Sequence, residues 1–352
     1  MITLDSKILR GLMKEVLEER NVNPDSIHHV IESTVTTSLR GVDSHGINLF
    51  PHYCRAFSGT RLEINPNFKI DRTSGGTLIV DADHAIGHHS GAVAMDAAIE
   101  AAKENGIACA NVINSTHFGA AAYFGLRAAN ADCLGFAFTN ADALVKAYSS
   151  TESFFGTNPI CFSAPIAGEG PYCLDMATSF TSWNNIKNHR RGNKDVPSDW
   201  ACDAKGHGVT DPHDAVTLNP LAGYKGFGLG MMVEILCSTL MGGVTAKDLL
   251  GMYSAPLDAR RKISHFFMVI DVSKFTPVDV FKNNMKGIVE RIRSLPQMEG
   301  ALPMMVAGDP QKKEYVKRIE TGIPMFESVF ENYLSISPSF QKAVKRQIKT
   351  IN

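Results

Sequence analysis

Two short segments place a histidine where it can exchange a proton with a small molecule. The segment SHG at residues 44–46 follows a predicted helix, and His117 follows a predicted strand. Histidine transfers protons well near neutral pH, and a neighbouring hydroxyl can hold a substrate oxygen. The carboxyl end of a strand in an α/β sheet borders the ligand crevice, which favours a site at His117. Ordinary packing is the alternative: Ser44 can cap a turn, His45 can pack its ring, and backbone carbonyls can satisfy His117.

Two polar segments could line a ligand, GTNP at residues 156–159 and LDMATS at residues 174–179. Thr157 and Asn158 can present hydrogen bonds to a ligand, although a turn built by Asn-Pro explains the segment nearly as well. Asp175 ends a predicted strand, so its carboxylate can pair with a catalytic histidine or hold a ribose hydroxyl. A helix N-cap formed by one of the hydroxyls that follow is the alternative.

The segment YKGFGLG at residues 224–230 has the look of a phosphate-binding loop. It matches neither GxxxxGK[ST] nor GxGxxG, and no predicted strand precedes it. Close helix packing is the simpler explanation of its glycines, while Lys225 can still reach an anionic group. The missing fingerprint argues against a standard Rossmann domain but not against a nicotinamide cofactor. The basic stretch at 187–194 is interpreted as a solvated face, from which His189 or Arg190 can also meet a cofactor phosphate.

Histidine and cysteine spacings indicate neither a metal site nor a disulfide framework. His84 and His88 have i, i+4 spacing, but Gly87 interrupts them and no acidic or cysteine ligand lies nearby in the sequence, so no metal site is predicted. The seven cysteines are scattered and odd in number, and they contain no CxxC motif. This usage is typical of reduced thiols in a cytosolic protein.

The composition is that of an ordinary globular protein. The chain has 352 residues, is 44% hydrophobic and 20% charged, and its 35 basic and 36 acidic residues give a net charge of −1. Abundant apolar residues exclude disorder, and the balanced charge argues against nucleic acid or an anionic membrane as a partner. No apolar run approaches the ~18 residues of a membrane span, and the charged N-terminal segment does not resemble a signal peptide. We therefore expect a cytoplasmic location.

The elements that must position these residues are predicted to form a layered α/β body. Apolar spacing predicts two helices within residues 5–40. Further helices are expected at 90–105, 119–131 and 224–240, strands at 76–81, 107–113, 133–138, 161–165, 172–176 and 265–271, and a helical tail from about residue 278. We expect three regions, which are an N-terminal helical region with the substrate-site loop (1–75), an α/β cofactor-binding body (76–275) with a polar excursion near 187–215, and a C-terminal helical segment (276–352).

Taken together, the motifs resemble the type-2 malate/L-lactate dehydrogenase family, which also includes ureidoglycolate and sulfolactate dehydrogenases, diketogulonate reductase and cyclic-imine reductases. The resemblance extends over about residues 5–310. Its marks are RGVDSHG at 40–46, NSTHFGAAAYF at 114–124, GTNP at 156–159, LDMATS at 174–179, YKGFGLG at 224–230 and SHFFMVID at 264–271. The resemblance implies an α/β fold with a cofactor-binding region unrelated to the Rossmann domain, a homodimer, and NAD or NADP as the cofactor.

The resemblance also implies roles for individual residues. His117 matches the histidine taken as acid and base in some members, and His45 matches the proton donor of others, with Ser44 beside it. Gly308 and Asp309 fall where the family often carries a Gly-Glu pair that faces the cofactor. The remaining matches line the cofactor in the family, and they are Asn140, Thr157, Asn158, Asp175, Met176, Ala177 and Lys225.

One position departs from the family pattern. The family often places an arginine three residues beyond the histidine-glycine pair, and this chain has Leu49 there. Leucine cannot form a bidentate clamp on a substrate carboxylate. Asn48 and Arg55 are the candidate substrate residues, and Arg55 can compensate for the missing arginine. Alternatively, the substrate differs from malate and lactate.

These residues predict hydride transfer between a nicotinamide and a small 2-hydroxy or 2-oxo acid. His117 is the first choice for moving the substrate proton, His45 is the second, and Ser44 would hold the reacting oxygen. Reduction of a cyclic imine or a sugar-derived oxo acid is an alternative within the same class. A cofactor-free isomerase or lyase that uses His117 and Asp175 is a second alternative, and a non-catalytic binding protein is a third.

Overall fold

The structure is a computed structural model that describes residues 2–338, 340 and 341. Its helices are α1 (Ser6–Glu18), α2 (Pro24–Leu39), α3 (Phe50–Ser58), α4 (Gly87–Asn105), α5 (Ala122–Asn130), α6 (Trp183–Gly192), α7 (Tyr224–Cys237), α8 (Val278–Arg293), α9 (Asp309–Thr321) and α10 (Glu327–Ile336). Its strands are β1 (Ile2–Leu4), β2 (Lys69–Ser74), β3 (Thr77–Asp81), β4 (Ile107–Ser115), β5 (Cys133–Thr139), β6 (Val145–Lys146), β7 (Ser153–Phe155), β8 (Ile160–Ala164), β9 (Tyr172–Met176), β10 (Ala201–Cys202), β11 (Thr217–Leu218), β12 (Ile263–Asp271) and β13 (Ile323–Met325).

A seven-stranded sheet forms the centre of this mixed α/β fold. Its strand order is β2-β3-β4-β12-β5-β8-β9, and β3 and β4 are its only parallel neighbours. All six strands predicted from the sequence are confirmed and belong to this sheet. The sequence missed β2, whose six residues are all exposed, because such a strand has no apolar alternation to identify it.

Two layers of helices cover the sheet. Successive side chains of a strand point to opposite faces, so neighbouring residues of β12 meet different layers. Phe267 and Val269 pack in the core that contains α4 and α5, whereas Phe266 packs with Val233 and Cys237 of α7. The helices predicted at these three positions are therefore confirmed and sandwich the sheet.

The N-terminal helices and the C-terminal end of the described chain share one core. Leu9 and Met13 of α1, Tyr53 of α3 and Tyr333 of α10 all belong to this core. The strand β1 pairs antiparallel with β13, which joins the two ends. The Tyr333 hydroxyl donates a hydrogen bond to the backbone carbonyl of Ile47 at 2.7 Å. The C-terminal helix thereby braces the loop that carries the SHG segment.

The region predicted as a polar excursion contributes to a second, four-stranded sheet. Its order is β10-β11-β6-β7, and α6 packs beside it. Ile186, Val196, Ala201 and Leu218 form a small buried core under the polar surface. The region is thus a folded lobe with its own apolar interior.

Several element boundaries differ from the predicted ones. The helix α5 begins at Ala122 and not at residue 119, because Gly119 has a φ of +77° and a Cβ atom there would lie 2.6 Å from Nε2 of His88. The predicted helical tail consists of three helices and the strand β13, and its last residues lie outside the described part of the chain. None of the helices in residues 2–338 is both long and apolar enough to cross a membrane.

Candidate active site

A cleft of about 910 Å³ is lined by the end of α2, the length of α5, β9 and the loop before α9. This volume lies within the range of small-molecule binding sites. The cleft brings together segments that are remote in sequence. Seven of the predicted site residues line it, and they are Ser44, His45, Thr157, Asp175, Met176, Ala177 and Gly308.

The structure brings His45 and His117 together. Their rings stack with centroids 5.8 Å apart and an angle of 22° between the planes. His45 follows the end of α2, where a Cβ atom at position 46 would collide with Ser38, so that only glycine fits. His117 follows the end of β4. The two loops therefore bring the imidazoles together: His45 lines the cleft, whereas His117 is not among the lining residues and packs against His45.

Hydrogen bonds fix the tautomer of His117. The backbone N–H of Gly119 donates to Nδ1 of His117 at 3.3 Å, and the Tyr53 hydroxyl lies 2.8 Å from the same atom. An N–H donor needs an unprotonated nitrogen, so Nδ1 is the acceptor and the proton of the neutral ring is on Nε2. Tyr53 is a site residue that the sequence missed, because it belongs to α3, a helix that was not predicted.

Both imidazoles are neutral at neutral pH. Burial lowers the pKa of His45 to about 4. Burial, followed by the neighbouring His45 and His88, lowers the pKa of His117 well below its usual 6.5. The Ser44 hydroxyl lies 2.9 Å from Nδ1 of His45 and orients that ring. The pair therefore offers a hydrogen-bond donor and a proton acceptor rather than two cations.

Asp175 lies at the end of β9 and opens into the cleft. Its carboxylate accepts a hydrogen bond from the backbone N–H of Ala122 at 2.8 Å. Desolvation by the surrounding protein raises the pKa of Asp175 to about 6. Within the described residues its side chain has no hydrogen bond to a histidine, so its place in the cleft suits a ligand hydroxyl better than a catalytic dyad.

Two predicted cofactor residues lie outside the lining of the cleft and serve a buried carboxylate. The side-chain amides of Asn140 and Asn158 each donate to Glu234 of α7, both at 3.2 Å. The backbone N–H of Ala246 donates to the same carboxylate at 2.9 Å. The structure therefore gives the two asparagines a structural position, in which they tie α7 to the sheet.

Three other predicted cofactor residues also lie outside the lining. Lys225 is exposed on the first turn of α7. His189 bonds the backbone carbonyl of Asp195 at 3.0 Å and packs on Trp200 in the four-stranded lobe. Asp309 forms an ion pair with Arg293 at 2.6 Å. Each of these side chains has a role or a position away from the cleft.

The candidate substrate residues Asn48 and Arg55 line a second pocket of about 100 Å³, which shares Ser44 with the cleft. Arg40 lines the cleft itself, although the sequence analysis gave it no role. It stands at the start of the RGVDSHG motif, so the motif itself could have identified it as a site residue.

The described residues contain no cluster of metal ligands. His88 packs edge-on against Tyr53 with ring centroids 4.8 Å apart, so its ring belongs to the packing around α3.

Comparisons with known proteins agree with this geometry. A family model described as malate/L-lactate dehydrogenase matches residues 4–333. A malate dehydrogenase from Pyrococcus abyssi is 31% identical over 339 residues, which cover 94% of this chain and 92% of that protein. A ureidoglycolate dehydrogenase (NAD(+)) from Escherichia coli is 28% identical over 332 residues, which cover 94% of this chain and 95% of that protein. The crystal structure of a malate dehydrogenase from Entamoeba histolytica has a TM-score of 0.91 at 27% identity, over 97% of this chain and 98% of that one.

The fold and these matches define an oxidoreductase of the hydroxy-acid dehydrogenase class, which acts on a CH–OH group. The chain belongs to the malate/L-lactate dehydrogenase family. The family resemblance inferred from six short motifs is thereby confirmed.

Replacing Glu234 by Ala removes the acceptor that three buried donors share. Each buried donor left unsatisfied costs about 1–3 kcal/mol. We therefore expect the free energy of unfolding of Glu234→Ala to fall by about 3 kcal/mol or more, measured by urea denaturation. Glu290→Ala on the exposed surface of α8 is the control and should change stability by less than about 0.5 kcal/mol. A loss below about 1 kcal/mol in Glu234→Ala would contradict the structural role of this cluster.

The buried histidines predict that stability falls in mild acid. Burial lowers the pKa of a whole set of them, namely His29, His45, His52, His88, His89, His117 and His265. Unfolding restores a pKa near 6.5, so below that pH the unfolded chain binds more protons than the folded chain. The free energy of unfolding should therefore decrease as the pH is lowered from about 6.5 towards 4.

The variant His88→Leu tests this dependence with one group, since neither ring nitrogen of His88 has a hydrogen-bond partner among the described residues. The slope of stability against pH between about pH 4.5 and 6 should decrease by up to about 1.4 kcal/mol per pH unit. His213→Leu, at an exposed position, should keep the wild-type slope. The slopes are measured by urea denaturation at several pH values. Equal slopes for the two variants would show that burial does not lower the pKa of His88.

Proposed function

We propose that the protein is an NAD(P)-dependent dehydrogenase that transfers a hydride between a nicotinamide and a small 2-hydroxy or 2-oxo acid. The observation that carries the proposal is the stacked pair of neutral imidazoles, of which His45 lines a cleft of about 910 Å³ and His117 packs against His45. Such a pair supplies proton transfer and a hydrogen bond to the same substrate oxygen. The similarity to the Escherichia coli ureidoglycolate dehydrogenase (NAD(+)) supports a nicotinamide coenzyme.

The residues that line the cleft fit a nicotinamide dinucleotide. The guanidinium of Arg40 forms no ion pair within residues 2–338, so it is available to a phosphate. The Asp175 carboxylate can accept a hydrogen bond from a ribose hydroxyl, and Met176 and Ala177 offer an apolar strip along the same wall. These features suit NAD and NADP alike.

We propose further that the cofactor is bound outside a Rossmann domain. Only one of the six neighbouring strand pairs in the central sheet is parallel, whereas Rossmann binding uses the carboxyl edge of a mostly parallel sheet. The glycine-rich segment at 224–230 lies within the helix α7 and not in a loop between a strand and a helix. Both observations support a different mode of binding.

In this mechanism the nicotinamide supplies or accepts the hydride, and the protein moves the accompanying proton. Nε2 of His117 carries a proton and donates a hydrogen bond to the reacting oxygen, because Nδ1 is already engaged. His45 takes the hydroxyl proton during oxidation and returns it during reduction. Ser44 orients the ring of His45. The tautomer of His117 thus favours His45 for proton transfer, although the sequence favoured His117.

A panel of 2-oxo acids and cyclic imines, tested with NADH and NADPH, is the direct experiment. Consumption of the reduced cofactor is read as a loss of absorbance at its characteristic band. We expect turnover with at least one 2-oxo acid and slower or no turnover with the imines. Chemical conversion of a substrate without any change in this absorbance would instead favour the cofactor-free isomerase or lyase.

Variants of His117 separate the two roles of the pair. His117→Ala should lower kcat about 10²–10³-fold, because it removes a donor to the reacting oxygen, and should leave the Kd for NADH largely unchanged. His117→Gln retains an amide donor and should keep more activity than the alanine variant. Unchanged turnover in His117→Ala would remove this residue from catalysis, and equal losses in both variants would contradict its role as a hydrogen-bond donor.

We also propose a homodimer that packs through α7. Apart from Lys225 and the buried Glu234 the helix is apolar, and its outer face exposes Tyr224, Met231, Met232 and Ile235, with Leu240 just beyond. A helix that is apolar all round requires a partner on each side. Gly228 has no atom within 4 Å of where its Cβ would lie, so a second chain can approach the helix closely. A second copy of the same apolar face is complementary to it.

Introducing charge into this face should separate the subunits. Met231→Asp combined with Ile235→Asp places two desolvated carboxylates in the interface, so we expect a monomer by size-exclusion chromatography with light scattering. Ile288→Asp, at an exposed position of α8, is the matched control and should remain dimeric. A dimer of unchanged stability in the double variant would rule out α7 as the interface.

We propose a cytoplasmic location for this enzyme. All seven cysteines are free, and six of them are buried. Buried free thiols are typical of proteins kept in a reducing compartment.

A further inference from the structure

A second, smaller pocket opens beside the catalytic histidines. It has a volume of about 100 Å³ and shares Ser44 with the larger cleft. One wall comes from α3 and the residues just before it, and the opposite wall comes from α6. Leu49 and Arg55 lie on the first wall, Lys187 and Arg191 lie on the second, and Tyr253 also lines the pocket.

Among the residues that the structure describes, three cations and no carboxylate line this pocket. Arg55, Lys187 and Arg191 form no ion pair with any other residue that the structure describes. The ammonium of Lys187 lies 3.3 Å from the ring centroid of Tyr253, a contact that leaves its charge without a counterion. The nearby Asp142 is already paired with Arg261. The pocket therefore has a net positive charge that an anionic ligand would compensate.

Neighbouring groups respond to this charge. Burial, followed by Arg191 and Arg190, lowers the pKa of Lys187 to about 8. The pKa of His52, which also lines the pocket, falls to about 3 through burial and then through four cations, which are Arg61, Arg261, Arg55 and Lys187. A positive potential of this kind stabilises a bound carboxylate.

Hydrogen bonds fix the position of the pocket relative to the loop that carries Ser44 and His45. The side-chain amide of Asn184, on α6, donates to the backbone carbonyl of Ser44 at 3.0 Å. The carbonyl oxygen of the same side chain accepts a hydrogen bond from the Tyr253 hydroxyl at 3.0 Å. An anion bound to the cations of α6 is thereby fixed relative to His45, which follows Ser44 directly.

We infer that this pocket binds the acidic group of the substrate through Lys187 and Arg191 of α6 together with Arg55, and that these cations replace the arginine that is absent at Leu49. The inference rests on the proposed dehydrogenase function and names its substrate class. A space of about 100 Å³ holds a few water molecules, so it accommodates a carboxylate and few further atoms. The substrate is then a short hydroxy or oxo acid, and the basic residues of α6 serve the substrate and not a cofactor phosphate.

The variant Lys187→Met tests the assignment, with Lys205→Met on the exposed surface of the same lobe as the matched control. The probe is oxalate, a small dicarboxylate whose Kd is measured by calorimetry with and without NADH. Loss of one charge-assisted contact should raise this Kd about 10-fold or more. The KM for oxaloacetate should rise by a similar factor, while the Kd for NADH changes less than about twofold. Lys187→Arg should restore most of the oxalate affinity, and Lys205→Met should behave as the wild type.

An unchanged Kd for oxalate in Lys187→Met and in Arg191→Met would overturn the inference. A loss of NADH affinity in place of oxalate affinity would also overturn it, because the cations would then belong to the cofactor. The second variant keeps the test valid if the first does not fold. Failure of the proposed dehydrogenase function would give a different result. The wild-type protein would then neither bind NADH nor oxidise it with any acid, but it would still bind oxalate through Lys187. In that case the anion pocket would stand and the dehydrogenase function would be rejected.

Discussion

The contact between the imidazoles of His45 and His117 is the feature on which the rest of the site depends. It requires the loop after α2 to meet the loop after β4, so the N-terminal helical core and the central sheet must dock in one arrangement. Tyr53 and Tyr333 secure that arrangement, the first by its bond to His117 and the second by its bond to the carbonyl of Ile47. Because both rings are desolvated by this docking, the fold itself sets their charge to zero at neutral pH.

Most of the central fold could be predicted because its segments carry a strong apolar pattern. All six predicted strands lie in the seven-stranded sheet, and four of them, β4, β5, β8 and β12, place residues in buried layers on both faces. The elements that were missed lack such a pattern. The strand β2 is exposed along its whole length, and β6, β10 and β11 have two residues each, which is too short for any periodicity. The helix α3 spans only nine residues and has a proline at its start, so too few turns are available for a periodic pattern to predict it.

The sequence predicted some residues of the candidate site and misplaced others, because local motifs do not reveal partners that are distant in the sequence. Short motifs located the wall of the cleft because they end strands or helices, and those ends meet at one place. A motif cannot show whether an amide faces a ligand or satisfies a buried charge. The amides of Asn140 and Asn158 reach Glu234 across 94 and 76 residues of sequence, and that partner carries no local signal in the sequence. Tyr53 was missed for a similar reason, since its partner lies 64 residues away.

The two pockets share Ser44, so the proposed anion site and the proposed proton transfer meet at the loop that carries His45. Burial is the main cause of the low pKa of both imidazoles. In His117 the neighbouring His45 and His88 lower the pKa further, followed by Arg261 and His52. Burial therefore sets the protonation of the imidazoles, while the cations of the smaller pocket act on the acidic group of the substrate. Because Asn184 ties α6 to the backbone carbonyl of Ser44, an acid anchored by the cations of α6 would present its reacting carbon at a fixed place relative to His45.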